Sequence, residues 1–358
     1  MSPKQVELAD AVISHQLALQ RYSNGQVRKI IALLNRADAD LFSQLVTLLS
    51  SVEPSTFQIE RIDGLLASVR AINAGAYQRA GELMANDMRE FVSYEVGFQL
   101  QLFESLSVGF SVTAVSPEQA YAAAMARPFQ GVLLREVFNE AAPVKFKRIR
   151  DAIRMGFVEG KTISQMVTEL RGTKARGYED GIIEIDRRHA ESIVRTAVSH
   201  TAGVARDRFH EANADILGSL MWLSTLDGRT SEGCIARSGK RYTVKAHKPI
   251  GHSIPWGGGP GALHWRCRSV SLPLLDGQEG FVGDQSSETG PVDANMTYGG
   301  WLKRQSAAKQ DDVLGATRGA LFRRGGLEID KFVNDKGRFY DLEELKRIES
   351  KAFQKAGI

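Results

Sequence analysis

The stretch Leu220-Met221-Trp222-Leu223-Ser224-Thr225-Leu226-Asp227-Gly228 is where this chain changes texture. Leu220 to Leu226 is an apolar run of strand length, and the Asp227-Gly228 pair that closes it is a turn signal. Downstream, Ile235-Ala236-Arg237 and Lys240-Arg241-Tyr242-Thr243-Val244 flank Ser238-Gly239, which predicts a tight hairpin. A glycine-rich loop, Gly257-Gly258-Gly259-Pro260-Gly261, precedes His264, and Val270, Leu272 and Leu274 then alternate as a last short strand. Upstream of Leu220 the pattern is helical almost throughout. The fold class that follows is mainly α with a small β-rich element, an α+β chain.

The helical reading rests on spacing. Ile30, Leu34, Ala37, Leu41, Leu45 and Leu48 recur every three or four residues, and Pro54 and Ser55 end that run. A second stripe runs through Ile62, Leu65, Val69, Ile72, Ala76, Ala80 and Leu83. Ser116-Pro117-Glu118-Gln119 has the hydroxyl, proline and glutamine of a helix start, and Pro128 and Pro143 punctuate the next two short helices. Lys145, Lys147, Arg148, Arg150 and Arg154, interleaved with Val144, Phe146, Ile149 and Ile153, predict a helix with a charged outer face. Such a face is either simply solvated or a contact for nucleic acid or an acidic protein surface. Thr162 and Gln165 form a capping-box pair for a helix that Gly172 ends. A long helix from Asp186 to Ile216 follows, whose small residues Ala197, Thr201 and Ala205 allow a neighbour to approach closely.

After Leu274 the chain turns polar. Residues 276–296 are rich in Gly, Ser, Asp and Asn and read as a linker or extended arm. Two helical pieces follow, the last opened by Asp341 and Glu344 and ended before Gly357, with Lys303, Arg304, Arg318, Arg323, Arg324 and Lys331 making the tail basic. The domain expectation is a helical region over 1–140, a central domain over 141–275, and a linker with a basic helical tail over 276–358.

Composition narrows the function classes. The 358 residues carry 46 Lys plus Arg against 42 Asp plus Glu, a formal charge of +4, with 43% hydrophobic residues. These are globular values that exclude wholesale disorder, and the length suits about two or three domains. No apolar run of about 18 residues occurs, and the N-terminal stretch carries Glu7 and Asp10 instead of a signal-peptide core. No membrane partner is expected. Two cysteines, Cys234 and Cys267, exclude a disulfide-rich scaffold.

Asp227, Cys234, His264 and Cys267 are the one group with metal-ligand character. His264 and Cys267, three apart, can point at one ion from a single turn, with Asp227 and Cys234 completing a tetrahedron. A pair of plain buried thiols and a Cys234–Cys267 disulfide are the other readings of the same residues. A nucleophilic thiol needs a base in reach, which His264, His252 or His247 can supply. The glycine cluster lacks the Gly-Lys-Ser/Thr of a P-loop and the βαβ setting of a dinucleotide fold, so it reads as a flexible loop. No cofactor is indicated.

Residues from about 148 to 275 resemble the Mu F-like family of phage head morphogenesis proteins, the minor head proteins of tailed phages. The resemblance lies in Trp222-Leu223-Ser224, the Asp227-Gly228-Arg229-Thr230 turn, Cys234, and His264-Trp265-Arg266-Cys267-Arg268, with Arg195-Thr196-Ala197 in the helical lead-in. It implies a low-copy, non-enzymatic component of the virion. Such a protein associates with the portal vertex inside the head during procapsid assembly and affects DNA packaging or ejection. The implied partners are the portal protein, with the major capsid or scaffolding protein and nonspecifically held DNA as further ones. Two other functions compete: a Mu F-like module carrying an enzymatic or toxin activity, and a nonspecific DNA-binding protein with contacts at Lys145 to Arg154.

Overall fold

The computed structural model describes residues 4–51, 64, 66–106, 111–278, 280–281 and 283–358. Helices α1 (Lys4–Ser50), α2 (Ala67–Leu106), α3 (Pro117–Ala126), α4 (Val137–Val158), α5 (Ile163–Arg171) and α6 (Ile182–Ala212) come first. Strand β1 (Leu217–Leu223), helix α7 (Glu232–Ile235) and strands β2 (Arg241–Tyr242), β3 (Pro249–Ile250) and β4 (Val270–Leu275) follow. A hairpin of β5 (Asp284–Ser287) and β6 (Gly290–Asp293) leads into α8 (Tyr298–Lys303), α9 (Ala307–Leu314), α10 (Ala316–Ala320), α11 (Leu342–Ile348) and α12 (Ser350–Ala356). The fold is mainly α with a small antiparallel sheet. Among the described residues no helix is long and apolar enough to cross a membrane. Pro54, Ser55, Ile62 and Leu65 lie outside the described residues.

The chain divides into two compact units, one of Met1–Leu19, Val92–Ala120 and Ser199–Ile358, the other of Gln20–Phe91 and Tyr121–Val198. Among the described residues, every named element of the second unit is a helix. Its core joins Leu41, Leu45 and Leu49 of α1, Val69 of α2, Phe146, Ile149 and Ile153 of α4, and Met166 and Leu170 of α5. Both stripes drift by one residue at their ends: Leu49 and Met84 are buried where Leu48 and Leu83 are half-buried. That drift is what a 3.6-residue turn does to a pattern counted in threes and fours. Pro143 sits inside α4 instead of ending a helix. Proline removes one backbone donor there, and the helix continues past it to bury Phe146, Ile149 and Ile153.

In the first unit the sheet order is β3-β2-β1-β4, all antiparallel, with Leu220 opposite Tyr242 and Leu223 opposite Val270. Side-chain alternation divides β1 between two cores. Met221 and Leu223 join Val270, Leu272 and Leu274 of β4, with Val12 and Leu102, while Leu220 and Trp222 face Phe209, Tyr242 and Trp256. A strand covered on both faces reads as a continuous apolar run, which is why β1 stands out in the sequence.

Two expectations need correction here. The first arm of the hairpin at Ser238-Gly239 is not a strand: Ile235 ends α7, whose start Ser231 caps by accepting from the Cys234 N–H. β2 pairs instead with β1 and β3. Capping won because the hydroxyl three residues before Cys234 satisfies a free backbone donor locally. Residues 276–296 hold the β5–β6 hairpin where a linker was expected. Gln285 is buried there, its side-chain amide within bonding distance of the Asp293, Ala294 and Met296 carbonyls. The tail then packs as a third core, with Tyr298, Trp301, Leu321, Phe332 and Phe353 around Leu226, Ile235 and Ile254.

Candidate functional site

The glycine loop explains how the candidate site is approached. Gly259 and Gly261 have φ of +82° and +88°, and a Cβ on Gly261 would stand 2.5 Å from the Ser199 carbonyl oxygen of α6. A Cβ on Gly203 of the same helix would stand 2.8 Å from the Pro260 carbonyl. The glycines therefore serve a left-handed backbone and close packing on α6, beside the small residues Thr201 and Ala205. From this seat the chain runs to His264 and Cys267, and the left-handed Arg266, at φ +59°, turns the two toward one point.

Three of the four expected ligands meet there. The Cys234 sulfur lies 3.2 Å from His264 Nε2 and 3.7 Å from the Cys267 sulfur, and the two sulfurs and a His264 nitrogen fall within 4.8 Å of one another. Both cysteines are free and buried, and His264 is half-buried. His264 Nδ1 is 2.8 Å from the Trp265 carbonyl oxygen, a contact it can make only as a donor. Cys234 is held in turn by Ser224, whose hydroxyl donates to its carbonyl at 2.7 Å. The contact with Cys234 and the bond to His264 outweigh burial, which pushes the other way, and leave the Cys267 thiol well below its ordinary range. The same contact and burial push Cys234 up, so Cys267 is the favoured thiolate of the pair.

Asp227 is not part of that group. Its carboxylate takes a two-pronged bond from Arg268, Nη1 to Oδ2 at 2.5 Å and Nη2 to Oδ1 at 2.8 Å. The Arg229 N–H and the Thr230 hydroxyl also donate to Oδ1, and the buried Tyr298 hydroxyl donates to the Asp227 carbonyl. Burial pushes this carboxyl up, but Arg268 and the turn donors outweigh it and hold the carboxyl below the usual range. The Asp-x-Arg-Thr turn is thus clasped to the segment that carries Cys267, which corrects the reading of Asp227 as a ligand. Oδ1 receives three donors and Oδ2 the other arm of the guanidinium, and the carboxylate lies outside the group of ligand atoms formed by Cys234, His264 and Cys267.

Of the other histidines weighed as bases, neither serves the sulfurs. His252 Nε2 donates to the Arg241 carbonyl and its Nδ1 accepts from Ile254 N–H. His247 stacks flat on Trp256, ring centroids 4.6 Å apart. A residue the sequence reading passed over is Arg237, buried beneath Trp222 and bonded to the Gly233 and Pro255 carbonyls. Nothing in its local sequence signals that position, because its partners are carbonyls of loops.

The basic helix α4 is less outward than its pattern implies. Lys145 is buried and bonded to Asp38, which removes it from any outer face. Arg148 is bonded to Asp186, and Arg150 to Asp151 at 3.0 Å. Lys147 points outward, 4.0 Å from Asp151, and Arg154 is half-buried. In the tail, Lys303 pairs with Glu328, Arg323 with Asp311, and Arg318 donates to the Tyr340 carbonyl.

Residues 147–272 match the family described as Phage Mu protein F like protein. The matched segment begins in α4 and closes within β4, so it takes in the sheet, the Asp227 clasp and the Cys-His-Cys group. No curated protein matches the chain, and no solved structure does.

Proposed function

From the match of residues 147–272 to the family described as Phage Mu protein F like protein, we propose that this chain is a minor head protein of a tailed phage. In this reading it associates with the portal vertex inside the capsid and assists procapsid assembly and DNA packaging or ejection. The observation that carries the reading is the family match, which covers every residue of the clasped turn and the Cys-His-Cys group. The charge of +4 and the outward Lys147 suit loose, nonspecific contact with packaged DNA as a secondary property. The major capsid or scaffolding protein is the further partner during assembly.

Quantitative mass spectrometry of purified procapsids and mature particles tests this, with the portal protein as internal copy standard. A low, fixed ratio to portal is expected in procapsids. Absence from both particle types would sink the proposal and return an enzymatic activity of the module to first place.

A further inference from the structure

The Cys-His-Cys group is built by three separate local devices. Ser231 caps α7 and so fixes the backbone at Cys234. The left-handed Arg266 turns Cys267 back toward His264. The Trp265 carbonyl takes the Nδ1 proton of His264, which commits that ring to presenting the Nε2 lone pair. We propose that Cys234, His264 and Cys267 bind one Zn2+ ion, with solvent in the fourth position.

Distances support the assignment. Two sulfurs about 2.3 Å from a tetrahedral zinc stand about 3.8 Å apart, and a sulfur and an imidazole nitrogen about 3.5 Å. The two separations from the Cys234 sulfur, 3.7 Å to Cys267 and 3.2 Å to His264, lie within a few tenths of an ångström of those values, and all three ligand atoms fall within 4.8 Å of one another. Thiolate with imidazole is a soft donor set that selects zinc over magnesium or calcium. Two thiolates balance the charge of the ion, and the thiol protons pass to solvent on binding. A disulfide or two bare thiols would leave the oriented His264 without a purpose, and a nucleophilic thiol with His264 as its base would need one sulfur only, whereas both sulfurs and the imidazole converge here.

The ion would tie α7 to the segment that enters β4, across the whole glycine loop. That tie matters because β2 and β3 are two residues each and bring few ladder bonds of their own. The inference stands apart from the virion role, since a zinc-bearing chain missing from particles would leave it intact.

The test uses the full chain, purified with reductant and without chelator. Elemental analysis is expected to find about one zinc per chain, retained through dialysis and released by a strong chelator. Cobalt(II) added to the stripped chain is expected to give the thiolate charge-transfer and strong visible bands of a tetrahedral site. Zinc alone should also slow alkylation of both thiols at least tenfold in the unmodified chain, a readout that needs no variant to fold. In His264→Gln, whose changed residue is half-buried, the cobalt bands should weaken and the protection should fall. No retained metal with unprotected thiols would overturn the proposal, and so would a Cys234–Cys267 disulfide in freshly isolated chain.

Discussion

Replacing Asp227 by alanine strands the Arg268 guanidinium beside a half-buried turn. The expected loss is roughly 1–3 kcal/mol, the usual cost of leaving a charged donor without its partner, read as a lower urea midpoint at unchanged slope. An unchanged midpoint would show that the clasp contributes nothing. His210 offers a different residue-scale experiment. Its ring is fully buried near Arg206 and His247, and burial first, then those charges, lower its pKa from 6.5 to about 3. The folded state therefore holds it neutral where the unfolded chain would protonate it. Its contribution is full above pH 6.5 and is lost as pH falls toward about 3, at up to about 1.4 kcal/mol per pH unit. Unfolding free energies of the wild type and His210→Phe should diverge across that window, and parallel curves would refute the assignment. The residues of the site were legible to different degrees for a physical reason. His264 and Cys267 announce themselves by spacing within one turn, whereas the role of Asp227 is set by an arginine 41 residues away. A carboxylate carries no mark of whether a metal or a guanidinium will claim it.

At the scale of elements, local chemistry was the readable part. Thr162 and Gln165 form the reciprocal box their spacing predicts, Gln165 Oε1 accepting from Thr162 N–H at 2.7 Å. Thr162→Ala should cost about 1 kcal/mol, measured by thermal or chemical unfolding, and Thr162→Ser should restore most of it. Asp341 caps α11 by accepting from the Glu344 N–H, but the single closing helix expected is two, broken at Glu349, and Gly357 closes the second, α12, in the left-handed region. Signals failed where an element owes its form to distant neighbours. The Ser238-Gly239 turn looks like a hairpin in isolation, but Gly239 N–H and the Lys240 carbonyl both bond to Trp222 of β1, so the pairing strand is elsewhere. The charged pattern of α4 is equally silent about Asp38 and Asp186, which draw Lys145 and Arg148 inward.

At the scale of the whole molecule, the tail is part of a core. Trp301 is fully buried among residues of α8, the closing helices and the loop after β1. Trp301→Ala should destabilise the first unit by about 3–5 kcal/mol, visible as loss of a cooperative transition or of soluble protein, and a stability change under 1 kcal/mol would contradict this packing. The polar run over 276–296 concealed that arrangement, because its hairpin is held by backbone bonds and one buried glutamine. The same unit also takes in Val12 near the beginning of the chain, which packs with Leu272 of β4, while Phe353 packs at the other end with the tail core. Leu217 pairs with Leu275 across the intervening segment. During synthesis, β1 must therefore wait for β4, and Leu226 and Ile235 must wait for helices made last. Apolar surface on half-made chains stays open through that interval, the general cost of pairing strands and cores that lie far apart in sequence.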